Sequence, residues 1–457
     1  MTIGNNPSTR TPKAGVKNRA DSFKASSLGD IVALQGETVA QGYWKPYTAQ
    51  RPHRLYSVSK SVVSLAVGIL AQENKLNLDH RIMDYFPEDV QEHTPELLRQ
   101  VTLRHMLCMA TCYDRAQYTP LDAQDWTRPF FEGVPVHVPG TVFSYDTSAT
   151  QVLCALVEKL TGQEILAFME ERLFRHIGMT GEKRWLKDGV GVSQGGTGLI
   201  MTLPDLCRLA QFCMGDGRGI VSAEYLRAAT SWKMDTSERS GPEERFGYGY
   251  QFWQTRCGFA MYGLGGQMAI CIPETGLCLC TLADLMDEST GVQPIYDAFF
   301  RNLGHLEQLP TNAEDAQRLQ QKLNSLALDA LPHHVQAEPG GEISIFLERK
   351  ALPFSRICIA PGAVTLTLDD REWVLPYGCG TWVQAEFPRL GEQCLVSGGW
   401  KAPGRFQLHA ELWETNACGL HLYVVLSGER ATVRVQSSFW EVEKGWWGDD
   451  WGYIEQS

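Results

Sequence analysis

Residues 56–72 read YSVSKSVVSLAVGILAQ, and this stretch does more than any other to predict the fold. Beyond its first turn it is apolar around almost its whole circumference, which is typical of a helix buried in a core. It also holds the chain's one Ser-x-x-Lys pair, Ser57 and Lys60. We therefore predict a buried helix over Ser57–Gln72. Ser57 would lie at its N-terminus, beside free backbone N–H groups, with Lys60 one turn on and on the same face.

The residue types of this pair point to nucleophilic chemistry. A serine hydroxyl is a weak nucleophile until a neighbouring base takes its proton. A lysine whose pKa is lowered by burial can act as that base. The alternative is a serine that caps the helix beside a solvated lysine, and the motif alone fits both interpretations equally well.

A second motif is the segment PGTVFSYDTS at 139–148. It places Tyr145 in a turn just before a predicted buried helix, where a phenol can project into a cleft and shuttle a proton. A turn tyrosine bonded to backbone is the alternative.

A third motif is YGLGGQM at 262–268. Glycines within a predicted strand often mark the close approach of backbone to a ligand, so a backbone N–H here could stabilise an oxyanion. A β-bulge or tight packing against a helix is the alternative.

Composition excludes several classes of protein. The chain has 457 residues and a net charge of −12, which argues against nucleic acid as a partner. No apolar run approaches the roughly 18 residues of a membrane span. The first 30 residues lack the apolar core of a secretory signal, so we expect a cytoplasmic protein whose 13 cysteines are reduced thiols. Cys278 and Cys280, on one face of a predicted strand, are interpreted as buried hydrophobes, with a metal pair as the alternative.

Strand patterns at both ends of the first 300 residues enclose a mainly helical middle. This order favours one sheet built from both ends with a helical insertion. The pattern predicts a hairpin over Asp30–Trp44, helices at Cys154–Leu160 and Glu164–Ile177, and strands at Phe246–Gln254, Phe259–Ile272 and Leu277–Ala283.

The change of periodicity along the chain predicts the domain boundaries. We expect a flexible tail (1–25), a domain of mixed strands and helices (26–306), a helical linker (307–335) and a C-terminal β-sandwich or barrel (336–457).

Together, the three motifs resemble the serine β-lactamase and penicillin-binding protein superfamily. They are most similar to its class C β-lactamase-like branch, which also contains esterases, D-aminopeptidases and amide hydrolases. The resemblance spans about residues 23–303. Further family-like segments in chain order are LDHRI (78–82), YFP (85–87), VTLRHML (101–107), GGTG (195–198) and Thr202-x-x-Asp205-Leu206.

The resemblance implies an α/β (α+β) fold. Its antiparallel β-lactamase/transpeptidase-like sheet would be flanked by helices and would carry a helical insertion, with the all-β domain added. It also implies site roles: Ser57 as the acylated nucleophile, Lys60 as its base and Tyr145 as the tyrosine of a Tyr-x-Asn motif. The N–H groups of Ser57 and Gln267 would form the oxyanion hole.

The implied substrate-binding positions are Thr147, Leu264, Gly265 and Gly266. Two of them depart from the family pattern, because Thr147 replaces an asparagine and Leu264 replaces a cationic Lys or His. The lost cation predicts that neutral substrates are preferred over anionic penicillins. The cations that could replace it from a loop are Arg51, Arg54 and Lys183.

We therefore predict a serine hydrolase that cleaves a small ester, amide or D-residue peptide through a Ser57 acyl-enzyme, with no metal or organic cofactor. Its partner would be a small molecule or short peptide, not nucleic acid or membrane, and the sequence leaves the oligomeric state open. The alternatives are a non-catalytic binding protein on a degenerate hydrolase scaffold and a true β-lactamase or D,D-peptidase.

Overall fold

The structure, a computed structural model, describes residues 26–118, 123–285, 291–301, 303, 312–387, 390–412, 418–437 and 448–456. The predicted flexible tail (1–25) lies outside these residues.

A six-stranded antiparallel sheet forms the centre of the N-terminal region. Its strands are β1 (Ser26–Leu34), β2 (Glu37–Tyr43), β6 (Trp253–Thr255), β7 (Gly258–Gly263), β8 (Gln267–Ile272) and β9 (Leu277–Asp284). They lie in the order β2-β1-β9-β8-β7-β6, so β1 pairs with both β2 and β9. The prediction of one sheet built from both ends of this region is confirmed.

Helices and a small three-stranded sheet surround this central sheet. The helices are α1 (Val58–Gln72), α2 (Glu96–Arg99), α3 (Leu103–Leu107), α4 (Pro129–Glu132), α5 (Thr147–Thr161), α6 (Ile165–Arg172), α7 (Leu203–Cys213), α8 (Ala223–Ala229) and α9 (Gln293–Arg301). The small sheet contains β3 (His53–Arg54), β4 (Lys183–Trp185) and β5 (Leu199–Met201), in the order β3-β5-β4. Helix α1 is buried from Val58 to Leu70, as its apolar circumference predicts.

Two predicted strands are wrong in extent. The segment Phe259–Ile272 is a hairpin of two strands rather than one, because Gly265 and Gly266 adopt positive φ values of 78° and 95° and turn the chain. The segment Phe246–Gln254 is mostly irregular and joins the sheet only at β6, with Gln251 at a φ of 66°. Gly265, Gly266 and Gln251 turn the backbone at these points. The pattern of hydrophobic residues does not indicate where the backbone turns.

The C-terminal region is one ten-stranded antiparallel sheet. Its strands are β10 (Ile343–Leu347), β11 (Arg356–Ala360), β12 (Ala363–Leu368), β13 (Arg371–Pro376), β14 (Val383–Phe387), β15 (Glu392–Ala402), β16 (Arg405–Leu412), β17 (Cys418–Ser427), β18 (Arg430–Ser437) and β19 (Gly448–Gln456). Their order is β13-β12-β11-β10-β19-β18-β17-β16-β15-β14, and the end strands β13 and β14 contact each other. The sheet therefore curls into a nearly closed barrel, which decides between the two predicted architectures. Alternate residues such as Phe406 and Leu408 fill its own apolar core.

The segment between the two regions packs against the N-terminal one. It contains helix α10 (Ala313–Asn324), and the side chain of Asn312 caps the N-terminus of this helix. Beyond this helix, the chain pairs with Lys45, which donates its N–H to the Leu326 carbonyl and accepts the N–H of Leu328. From the barrel, Leu395 and Trp382 pack against the N-terminal core, and the Trp382 indole donates to the Leu328 carbonyl.

Among the described helices, none is long and apolar enough to span a membrane. The prediction that Cys278 and Cys280 are buried is confirmed. Helix α7 adds Cys207 to them, and the three sulfur atoms lie within 4.8 Å of one another.

Candidate active site

Ser57 and Lys60 meet at the start of α1, as their spacing predicts. Ser57 holds the N-cap position, but its hydroxyl makes no capping hydrogen bond. Lys60 is only 1% exposed and donates from Nζ to Ser57 Oγ at 2.9 Å. Tyr56, directly before Ser57, has a φ of 45°, and such left-handed strain in a non-glycine residue is common at functional sites. The alternative of a capping serine beside a solvated lysine does not describe this geometry.

Tyr145 completes the cluster from the turn before α5. Lys60 Nζ lies 5.0 Å from its ring centroid, and its phenol is close enough to Ser57 for the serine side chain to affect its pKa. Burial raises the pKa of Tyr145 well above its ordinary value, and Ser57 opposes this only in part. The phenol is therefore protonated near neutral pH and can donate its proton. The three residues predicted to carry the chemistry lie together.

Gly196 was predicted only as part of a family-like loop, but it contacts the cluster directly. Its carbonyl accepts a second hydrogen bond from Lys60 Nζ at 2.8 Å. A Cβ at this position would lie 2.4 Å from Thr147 Cγ2 and 3.3 Å from Lys60 Nζ. The absence of a side chain thus lets the loop carbonyl orient the lysine, and the adjacent glycines were the available sequence signal.

An aromatic cluster that the sequence did not indicate surrounds the phenol. The ring of Tyr145 stacks on Trp253 with centroids 5.7 Å apart and planes at 17°. Tyr248 meets both rings edge-on, and Phe143 packs on Tyr248 and Trp253. These contacts join the Tyr145 turn to β6, across more than 100 residues of chain, and no local pattern reports them.

Gln251 connects the helices that carry the three residues. Its side-chain amide donates to the carbonyls of Met106 and Leu107 at 3.0 Å and accepts from Thr150 on α5 at 2.8 Å. Its backbone carbonyl accepts from Ser61 on α1 at 2.7 Å. Gln251 therefore fixes α1 and α5 relative to each other.

Strand β7 approaches the backbone beside the serine through Gly263. A Cβ on Gly263 would lie 2.1 Å from the carbonyl oxygen of Leu55, two residues before Ser57. Gln267 begins β8 and is fully buried. Its amide donates to the carbonyls of Leu264 and Ala283 and accepts the N–H of Ala283. The hairpin is thus anchored beside Ser57, while the oxyanion role of the Gln267 N–H stays a prediction.

The four predicted substrate-binding residues lie in two places. Thr147 is the first residue of α5 and packs against the Gly196 loop. Leu264, Gly265 and Gly266 form the β7–β8 turn, with Leu264 37% exposed at its tip. Two carbonyls fix this turn, since Gly265 accepts the N–H of Leu285 and Gly266 accepts the Thr281 hydroxyl. Their contact with a substrate remains a prediction.

Two of the cations considered as replacements at the Leu264 position are bound elsewhere. Lys183 is buried between Asp205 and Glu170, at 3.1 and 3.2 Å. Arg54 is buried, donates to the Thr197 carbonyl and lies over the Tyr56 ring. Arg51 lies by the ring of Tyr47, near the interface with the barrel. Neither Lys183 nor Arg54 therefore replaces the cation that the family pattern has at the position of Leu264.

Residues 21–298 match the sequence family described as Beta-lactamase. This match covers more than half of the chain and includes Ser57, Lys60, Tyr145 and Gln267. The chain therefore belongs to the beta-lactamase family, a family of serine hydrolases. No curated protein sequence matched the chain.

Solved structures extend the likeness in fold. A protein assigned as a 6-aminohexanoate-dimer hydrolase from Bacillus anthracis is 20% identical, with a TM-score of 0.53 over 65% of this chain and 84% of its own. An octameric penicillin-binding protein homologue from Pyrococcus abyssi is 14% identical, with a TM-score of 0.50 over 95% of this chain and 97% of its own. The second match extends over the C-terminal region, so the similarity in fold is not confined to the N-terminal region.

Proposed function

We propose that the protein is a serine hydrolase that cleaves a small ester, amide or D-residue peptide through an acyl-enzyme on Ser57. The observation that carries the proposal is the contact of Lys60 Nζ with Ser57 Oγ at 2.9 Å inside a buried cluster that also contains Tyr145. A hydroxyl that does not cap its helix, with a buried amine and a protonated phenol beside it, is arranged for proton transfer.

The proposed reaction has two halves. Ser57 Oγ bonds to the carbonyl carbon of the substrate while its proton passes to the Lys60–Tyr145 pair, and the N–H groups of Ser57 and Gln267 stabilise the oxyanion. The pair then returns the proton to the leaving group as its bond to the carbonyl carbon breaks. Water, deprotonated by the same pair, attacks the acyl ester, releases the acid and restores Ser57.

A fluorophosphonate that phosphonylates activated serines tests the proposal. We expect one adduct, on Ser57 by mass spectrometry, and expect Ser57→Ala to lose both the adduct and p-nitrophenyl ester hydrolysis by several orders of magnitude. Ser64→Ala is the matched control, because Ser64 lies two turns further along α1 and contacts Tyr225 rather than the cluster. An unlabelled Ser57 in a folded protein would favour a non-catalytic binding protein on a hydrolase scaffold.

A further inference from the structure

Three cysteine side chains meet between helix α7 and the central sheet. Cys278 and Cys280 project from the same face of β9, because they are two residues apart on one strand, and Cys207 reaches them from α7. Their three sulfur atoms lie within 4.8 Å of one another, and none of the three residues is more than 4% exposed. The sequence supplies the pair on β9, and the fold adds the third thiol that the pair lacks as a metal site.

The separation of the sulfur atoms suits a shared metal ion. Metal–thiolate bonds are about 2.3 Å long, so three sulfurs arranged in a plane around one ion lie about 4.0 Å apart. Sulfurs that already lie within 4.8 Å of one another reach this spacing through small side-chain rotations. The strand and the helix therefore do not have to move to hold the ion.

The ligand set selects a soft ion that needs few ligands. Among the described residues, no carboxylate or imidazole joins the three thiols within the same distance. Zinc and iron–sulfur centres ordinarily have four ligands, and water cannot supply a fourth here because Cys278 and Cys280 are fully buried. Thiolates favour Cu(I), which is satisfied by two or three of them. Cu(I) is therefore the ion that this set fits best.

One of the three cysteines is already favoured as the thiolate that a metal requires. The side chains of Cys278 and Cys280, together with the Arg208 guanidinium, hold the pKa of Cys207 well below its ordinary value. Arg208 follows Cys207 on α7 and is only half-buried, so its positive charge lies between the thiols and solvent. This charge partly offsets the negative charge that three thiolates bring to the site.

A hydroxyl without a partner lies on the same side of the sheet. The ring of Tyr43, on edge strand β2, lies over Gly29 beside Leu203, at the start of α7 and on the sheet face that carries Cys280. Its hydroxyl is buried and has no hydrogen-bond partner among the described residues. Burial, with the charge on Cys207, raises the pKa of Tyr43 to about 12, so the phenol stays protonated. It can therefore act as an outer hydrogen-bond donor to a metal-bound thiolate.

We propose that Cys207, Cys278 and Cys280 together bind one Cu(I) ion. The ion displaces the protons of those cysteines that are still thiols, and three Cu–S bonds form without a change in oxidation state. Because the bonds come from both α7 and β9, the ion holds the helix on the sheet and stabilises the fold. The site does not involve the Ser57 cluster and does not rest on the proposed hydrolase function.

Copper titration of the reduced, full-length protein under anaerobic conditions tests the site. With Cu(I) buffered by bicinchoninate, we expect one ion per chain, three sulfur ligands by X-ray absorption, and a higher melting temperature than without copper. The buffer keeps single exposed thiols, such as Cys257 and Cys379, from retaining copper. A protein that retains no copper, or holds it through nitrogen or oxygen, would overturn the proposal.

Single substitutions locate the ion. Cys207→Ala and Cys278→Ala each remove one ligand, and we expect each to weaken Cu(I) binding at least about a hundredfold, since loss of even an outer partner costs about 10–100-fold. Cys213→Ala is the matched control, because Cys213 is a buried thiol on the same helix but outside the three-sulfur set, and it should bind copper as wild type does.

Two results would contradict this assignment. Equal Cu(I) affinity in Cys207→Ala and in the Cys213→Ala control would place the ion elsewhere. Zn(II) retained in preference to Cu(I), when both are offered to wild type, would overturn the choice of ion. The sulfur count of the wild-type copper protein decides the question even where a variant does not fold.

Discussion

At Gly263 the space of one methyl group decides how closely β7 can lie against the backbone beside Ser57. Gly263→Ala would place a Cβ 2.1 Å from the Leu55 carbonyl oxygen, so strand or loop must shift. We expect a loss of about 1–3 kcal/mol in unfolding free energy and slower labelling of Ser57 by fluorophosphonate. Gly340→Ala is the control, because nothing lies within 4 Å of its Cβ. A Gly263→Ala protein that is as stable and as reactive as wild type would contradict this close approach.

Leu264, at the tip of the β7–β8 turn, is predicted to decide which substrate charges the site attracts. A charge-assisted hydrogen bond to a substrate carboxylate is worth roughly 1.5–3 kcal/mol, which is about ten- to a hundredfold in binding. We therefore expect a neutral ester to acylate wild type faster than a penicillin does, and Leu264→Lys to accelerate only the penicillin, by about that factor. Leu319→Lys on exposed α10 controls for added charge. Rapid acylation of wild type by penicillin, measured as a second-order rate, would count against the prediction.

At the scale of elements, the N-terminus of α5 links stability to pH. Asp146 caps the helix by accepting the N–H of Ser148, and burial raises the pKa of its carboxyl to about 6. The ordinary pKa is about 3.9, so the folded state binds more protons between these values and stability falls as pH rises through them, by about 2–3 kcal/mol. Asp146→Asn keeps a capping oxygen and removes the titration.

Unfolding free energies of wild type and Asp146→Asn at pH 4.5 and 7.5 check this linkage. We expect wild type to lose stability towards pH 7.5 relative to the variant. The buried Asp30, whose pKa burial raises to about 7, titrates in both proteins and therefore cancels from the comparison. Identical pH dependence in the two proteins would show that Asp146 does not titrate in this range.

At the scale of the whole molecule, the linker and barrel contribute to the packing of the N-terminal region. A chain ending at residue 309 loses the pairing of Lys45 with Leu326 and Leu328, and it exposes the apolar surface that Trp382 and Leu395 cover. We expect it to melt at a lower temperature than full-length protein, while keeping some Ser57 labelling. A chain ending at residue 331 retains the Lys45 pairing and should lie between the two. Equal melting temperatures for all three would show that these contacts contribute nothing.

The sequence by itself determined the structural features that depend on residues close together in the chain. The apolar circumference of α1 predicted its burial, the Ser-x-x-Lys spacing placed Ser57 and Lys60 on one face, and strand patterns at both ends predicted the shared sheet. The turn at Gly265 and Gly266 also has a sequence signal, since paired glycines are typical of turns, but the strand-like residues on both sides of the pair obscure it.

Only the tertiary structure decided the contacts between distant segments. The carbonyl that orients Lys60 comes from Gly196, 136 residues away, and the indole that supports Tyr145 comes from β6. Three other features arise in the same way. Gln251 connects α1 with α5, Cys207 joins Cys278 and Cys280, and β14 closes most of the barrel against β13. Local periodicity reports which face of an element is buried, but it does not report which other element covers that face. That choice depends on packing between segments whose separation in the chain leaves no repeating pattern.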